Sequence, residues 1–298
     1  MKISHNRSTE FFYVDWWLMN HNSRMPSYEH DLLHCGNIDL PYLKDCQRFV
    51  DQAQVAAQKK NKRALISFTG GEVTEWVDFV DLMAYTKQQN CFTRFITNAS
   101  ADTAYLENIF QYTDSVIIEV HPEFASISHI LHILNKLSET QIGVSVNINM
   151  MPEKWDELTE LYDKIYQKYS NIMIYKKMLF YDPIFNSYPQ AYKDEQFEIL
   201  KTQWRNLKIE KDGQEETTNF YSMILEQKNR FQGMNCWAGL EQIVVDAWGR
   251  VYRSHCRKNG FMGYIKDPEL IWYEQPMICD LEACVNGFDV QATKQSLE

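Results

Sequence analysis

Glycine is scarce in this chain, at 11 of 298 residues. That argues against a turn-rich all-β protein and for helices joined to strands by short loops. No run of 18 apolar residues occurs, so no membrane-spanning helix is expected. Met1–Glu10 lacks an apolar segment, so no secretory signal is expected either. Basic residues are outnumbered: 30 Lys+Arg against 40 Asp+Glu leave a net charge of −10. No Lys/Arg run exceeds three residues, so a clamp on a nucleic-acid backbone is not expected. Hydrophobic residues make up 45% and aromatics 14%, which excludes a natively disordered chain. There are seven cysteines. An odd number without a secretory signal points to a reducing, cytoplasmic compartment. Clustered thiols then read as metal ligands or redox groups rather than as disulfides.

Apolar patterning alternates between two periods. Phe11–Asn20, Arg63–Phe68, Cys91–Thr97, Ser115–Val120, Ile142–Met150 and Asn171–Tyr175 read as strands. Leu40–Lys59, Glu75–Gln89, Ala101–Gln111, Phe124–Leu137 and Pro152–Tyr169 read as the helices between them. Six strands with helical crossovers imply a parallel α/β sheet, open or barrel-shaped. Within Ile142–Met150, Val144, Val146 and Ile148 alternate with Ser145, Asn147 and Asn149. A parallel strand covered on both faces is usually apolar throughout. The polar row marks either a polar interior or an edge strand with one wet face. The pattern predicts a further helix at about Asp194–Asn206.

Four of the cysteines, Cys236, Cys256, Cys279 and Cys284, fall within 49 residues near the C-terminus. Gln242–Tyr252 between the first two reads as a hairpin, with Asp246, Trp248 and Gly249 near its turn. A hairpin returns its ends to neighbouring positions, which brings Cys236 and Cys256 together. Four converging thiolates repel unless a cation or cluster neutralises them, so the group reads as a metal site. Zinc and iron–sulfur both accept four thiolates, and the spacing does not choose between them. Cys35, Cys46 and Cys91 show no partner spacing.

Polar residues gather where successive strands end: Thr69-Gly70-Gly71-Glu72, then Thr97-Asn98-Ala99-Ser100, then Glu119 with His121-Pro122. In parallel α/β folds ligands sit at that end. Two glycines there allow close backbone approach, and a glutamate after them suits an ammonium group.

Together these features resemble the radical S-adenosylmethionine superfamily over nearly the whole chain. The resemblance implies an α/β fold, a partial (β/α)6 TIM-like barrel with a small C-terminal Cys-rich β-hairpin/helix extension. Gly70-Gly71-Glu72 looks like the family's motif that holds the cofactor's amino group, and Thr97-Asn98 like its Thr-Asn-Gly element, with Ala99 in place of the glycine. Glu119 joins them as a cofactor-site residue. The tail looks like a twitch or half-SPASM extension, which makes Cys236, Cys256, Cys279 and Cys284 the ligands of an auxiliary cluster. On this resemblance [4Fe–4S] is preferred, with [2Fe–2S] or zinc as alternatives. The implied division is a barrel at 1–206, a bridging segment at 207–230 and an iron–sulfur extension at 231–298.

The departure from the family lies after the first strand. The family has a CxxxCxxC loop there, whose three thiolates hold the cluster that cleaves the cofactor. Here the corresponding positions fall on Asn22, Pro26 and Glu29, or, one residue back, on His21, Met25 and Tyr28. Neither register contains a cysteine. The following Leu33-His34-Cys35-Gly36 still looks like the family's loop. The expectation is a fold kept and a radical-generating site lost, with S-adenosylmethionine binding left open. His21, Glu29, His30 and His34 offer a different metal site, against the plainer reading of a solvated loop.

Three functions follow as expectations. The first is a pseudoenzyme that acts as a redox or binding partner, for a radical S-adenosylmethionine enzyme or a peptide or sugar-like substrate. The second is an enzyme doing non-radical or other metal-assisted chemistry, with Glu72, Glu119 and Asp15 as acid/base candidates. The third is a zinc-pinned structural module.

Overall fold

The computed structural model describes residues 1–297 apart from 6, 8, 25, 28–39, 180–191 and 204–205. The chain begins with strand β1 (Lys2–His5) and then β2 (Phe11–Met19). A β/α alternation follows: α1 (Leu43–Gln58), β3 (Arg63–Gly70), α2 (Phe79–Gln88), β4 (Phe92–Thr97), α3 (Thr103–Phe110), β5 (Ser115–Val120), α4 (Ile127–Leu137), β6 (Gly143–Asn149), α5 (Trp155–Lys168) and β7 (Ile172–Lys177). The strands pair in sequence order, each parallel to the last. Sequential order with right-handed crossovers puts the intervening helices on one face of the sheet. The result is a mixed α/β fold built on a parallel sheet.

The strand sequences make that face. In β2, Phe12, Val14, Trp16 and Leu18 are buried in the main core, while Tyr13, Asp15 and Trp17 point the other way. Trp16 packs on Phe49 of α1 at a ring-centroid distance of 4.8 Å. Phe79 of α2 sits 5.7 Å from both Phe68 of β3 and Phe95 of β4. Helix α4 buries Ile130, Ile133, Leu134 and Leu137, with Ile127 and Leu131 half-covered beside them. The helix expected from Glu75 begins later, at Phe79. Glu72 accepts from the Thr74 amide and turns Val73–Glu75 into a short 3₁₀ segment first.

After β7 come α6 (Asp194–Lys201), β8 (Leu207–Lys211), β9 (Gln214–Thr218), α7 (Phe220–Leu225), β10 (Asn235–Cys236), β11 (Gln242–Val245), β12 (Arg250–Tyr252), β13 (Phe261–Tyr264), β14 (Met277–Ile278), α8 (Gly287–Val290) and β15 (Lys294–Gln295). The expected hairpin is β11–β12, paired antiparallel. Asp246 organises its turn, accepting from the Trp248 and Arg250 amides at 3.1 and 3.0 Å. Sequence patterning did not show where the hairpin goes. β11 pairs in parallel with β2, from Gln242↔Tyr13 to Val245↔Trp16, and so extends the main sheet to nine strands. A second sheet, of order β14-β10-β15-β1-β8-β9, ties the first residues of the chain to the last. No helix among the described residues is long and apolar enough to cross a membrane.

Candidate cysteine centre and polar sheet face

Short backbone ladders bring the four cysteines together. Cys236 ends β10, whose register partner on β14 is Met277. Cys279 follows directly and donates its amide to the Met234 carbonyl at 2.8 Å. Cys284 is held from both sides by Asn229: its amide donates to the Asn229 carbonyl, and its carbonyl accepts from the Asn229 side chain, each at 2.8 Å. Cys256 follows β12. Asp289 of α8 fixes it by accepting the His255 and Cys256 amides, each at 3.0 Å. All four thiols line one cavity of about 40 Å³, together with Arg253, Ser254, Lys258, Asp289 and Lys294. None of the four is in a disulfide.

Burial raises the thiols of Cys256, Cys279 and Cys284 above the ordinary cysteine value. Ser254 opposes that shift at Cys256, where the two side chains meet at 2.9 Å. Cys236 and Cys256 add a like-charge penalty at both Cys279 and Cys284, so the four lie within electrostatic reach of one another. A metal group binding here must displace protons, and its binding then stabilises the fold around it. Among the described residues no three His, Cys, Asp or Glu side chains gather closely enough to hold a single ion. The cysteines thus share the walls of a cavity without converging on one point. One donor in the same wall has no partner: Arg253 Nε is buried and unbonded. A cavity of thiols with an unmet donor fits a sulfur-rich, anionic group.

The face of the parallel sheet away from the helices carries the polar row expected in β6. β6 lies between β5 and β7, so the edge-strand reading fails. Glu119 of β5 accepts from Asn147 at 2.7 Å, Asn149 at 3.3 Å and Lys177 of β7 at 2.9 Å. Burial works to raise this carboxyl, but Lys177 and Asn147 outweigh it and hold it below its ordinary value. Further along the same face, Asp15, Ser67 and Arg94 stand at one register level, and Arg94 Nε donates to Ser67 Oγ at 3.0 Å. His255, next to Cys256 in sequence, reaches Asp15 with its ring at 2.8 Å. Burial disfavours a charge on this imidazole, yet the Asp15 carboxylate lifts it above its ordinary value. Patterning missed this pair. The available signal was a charged residue inside the apolar run of β2, which marked Asp15 but not its partner.

The glycine–glycine–glutamate segment is packed against the end of β2. A Cβ on Gly70 would lie 2.1 Å from the Met19 carbonyl oxygen, and one on Gly71 1.8 Å from that of His21. The Gly71 and Glu72 amides donate to those same two carbonyls, at 2.6 and 2.8 Å. Glu72 points inward. It accepts from Thr74 Oγ1 at 2.6 Å, Thr97 Oγ1 at 2.8 Å and the Asn98 amide at 2.7 Å. Burial raises its carboxyl, against those hydrogen bonds. The structure therefore unites Gly70, Gly71, Glu72, Thr97 and Asn98, and adds Asn22, whose Oδ1 is 3.4 Å from Asn98 Nδ2. Glu119 makes its contacts in a separate cluster. Ala99, which follows Thr97-Asn98, has a φ of 55°, a left-handed conformation that suits glycine better.

In the loop after β2, His21 pairs with Glu75 at 3.3 Å and Ser27 donates its amide to Glu123 at 2.7 Å. Met25, Tyr28, Glu29, His30, His34 and Cys35 lie outside the described residues.

No protein-family model and no curated protein matches the chain. Solved structures do. One is anSMEcpe with bound AdoMet, which has a TM-score of 0.55 at 13% identity, over 86% of this chain and 78% of that one. Another is SuiB of Streptococcus suis bound to its precursor peptide SuiA, with a TM-score of 0.52 at 14% identity, over 84% of this chain and 61% of that one. At these identities the likeness is one of fold.

Proposed function

We propose that this chain keeps a radical S-adenosylmethionine-type fold, carries one iron–sulfur cluster at Cys236, Cys256, Cys279 and Cys284, and lacks the cluster that cleaves S-adenosylmethionine. In this reading it serves as a redox or binding partner. The observation that carries the reading is the set of four undisulfided thiols around one cavity. Four thiolates accept zinc or an iron–sulfur cluster, and the resemblance to the radical S-adenosylmethionine superfamily favours the cluster. The lost site rests on sequence: no three of the seven cysteines have the CxxxCxxC spacing.

The bound cluster would supply one-electron storage. The chain's own residues do the rest. The four thiolates bind it, and Asp289 orients the loop that presents Cys256. His255, anchored by the same aspartate, carries an imidazole from the cysteine centre to Asp15 on the polar sheet face. That face, with Arg94, Glu119 and Lys177, offers both signs of charge to a polar ligand such as a peptide or sugar-like molecule. The partner in electron transfer is then an active enzyme of the same superfamily. Glu72 is engaged by Thr74, Thr97 and Asn98, which favours a structural role for it over capture of a cofactor's amino group.

The test is anaerobic purification followed by reaction with dithionite and S-adenosylmethionine. The reading expects brown protein with absorption near about 400 nm and no 5′-deoxyadenosine. Formation of 5′-deoxyadenosine overturns the lost-site reading. Colourless protein with stoichiometric zinc overturns the cluster.

A further inference from the structure

Two buried cations line the cysteine cavity and are left unused by the reading above; the third cation of the wall, Lys258, is exposed. Arg253 is 5% exposed. Its place is built: a Cβ on Gly260 would lie 2.2 Å from Arg253 Cγ, and one on Gly239 would lie 3.1 Å from Arg253 Cβ. The Arg253 amide donates to the Gly260 carbonyl at 2.9 Å, and its guanidinium lies 6.0 Å from the Tyr273 ring centroid. Nothing in this cradle accepts from Nε. A buried donor left unmade is costly, and a bound group that accepts from Nε removes that cost.

Lys294 of β15 is 1% exposed, among the largest fully buried side chains. Its ammonium donates to the carbonyls of Asp289 and Ala292 and lies 5.1 Å from the Phe231 ring centroid. Carbonyl oxygens hold the ammonium without cancelling its charge. The Asp289 carboxylate, in the same wall, accepts instead from the His255 and Cys256 amides. Lys294 lies within electrostatic reach of Cys279 and Cys284.

A [4Fe–4S]²⁺ core with four thiolates carries two negative charges, and its potential follows net charge and hydrogen bonds to sulfur. We propose that Arg253 and Lys294 form a fixed cationic wall that offsets this charge and raises the cluster's reduction potential, with Arg253 Nε donating to sulfur. They act through the cluster, so they are positioning residues, and the inference rests on the cluster reading. The potential rises because an added electron is stabilised by nearby positive charge and by a donor to sulfur.

The test compares the full chain, purified anaerobically, with its Arg253→Gln, Arg253→Lys and Lys294→Met variants. Iron per chain and the midpoint potential by electron paramagnetic resonance are measured. Arg253→Gln is expected to keep its iron and to lower the reduced-to-oxidised ratio at fixed potential at least tenfold, or about 59 mV for one electron. Arg253→Lys recovers at least half of that shift, which a purely structural role would not produce. Lys294→Met shifts in the same direction; should it fail to fold, Arg253→Gln decides. Iron retained with an unmoved potential in Arg253→Gln overturns the inference alone. Wild-type protein without iron overturns the cluster reading with it.

Discussion

Removing Lys177 tests the polar sheet face most sharply. Its ammonium is 2.9 Å from Glu119 Oε2, and the two side chains are 37% and 11% exposed. Breaking a fully buried pair costs about 3–5 kcal/mol, because the remaining charge stays buried. Here Lys177 is partly solvated, and Asn147 and Asn149 continue to donate to the carboxylate, so the cost falls to about 2 kcal/mol. At about 2.1 cal/mol/K per residue, that lowers Tm by about 3 °C for a chain of this size. The pH sign is set by the carboxyl, which folding holds below its ordinary value of 4.5. Its contribution is fully present above that value and is lost as pH falls through the lowered folded value. Urea denaturation of the wild type, Lys177→Met, Glu119→Gln and the double variant at pH 7 gives the coupling energy. Lys177→Met should be the most damaged and the double variant partly restored, since a neutral amide needs no counter-ion. A coupling below about 0.5 kcal/mol at pH 7 would refute the reasoning.

Other substitutions reach the remaining parts of the site. Gly71→Ala drives a methyl into the His21 carbonyl and should destabilise by about 3 kcal/mol, measured by urea midpoint. Cys256→Ala should bleach the visible absorption and increase proteolytic nicking after residue 231, read by mass spectrometry of limited digests; unchanged iron content would contradict the ligand assignment. Asp15→Asn removes the partner that lifts His255 above its ordinary value of 6.5. That stabilisation is present below 6.5 and lost as pH rises through the lifted value, so the stability gap from wild type should be wider at pH 6 than at pH 9.

Local periodicity made the repeating core legible. Phe12, Val14, Trp16 and Leu18 show period two, the stripe on α4 shows the helical period, and both are buried. Non-local pairing was not legible. β1 is four residues long and β15 two, too short to carry a pattern, and each exists because its partners in the second sheet hold it. The parallel pairing of β11 with β2 joins segments more than 200 residues apart, and nothing in Gln242–Val245 announces it. The thiols stood out because cysteine is rare and seldom clusters. Arg253 and Lys294 did not, because basic residues are ordinarily exposed and only the folded walls reveal these two as buried. Glu72 shows the reverse case. Its motif suggested a ligand-facing carboxylate, and the fold turns it toward Thr74, Thr97 and Asn98.

The most direct test is iron and acid-labile sulfide analysis of the anaerobically purified chain beside a variant with Cys236, Cys256, Cys279 and Cys284 all replaced by serine. The account predicts roughly four iron and four sulfide per wild-type chain and neither in the variant. Iron and sulfide at equal levels in both proteins, or absent from the wild type, would contradict it.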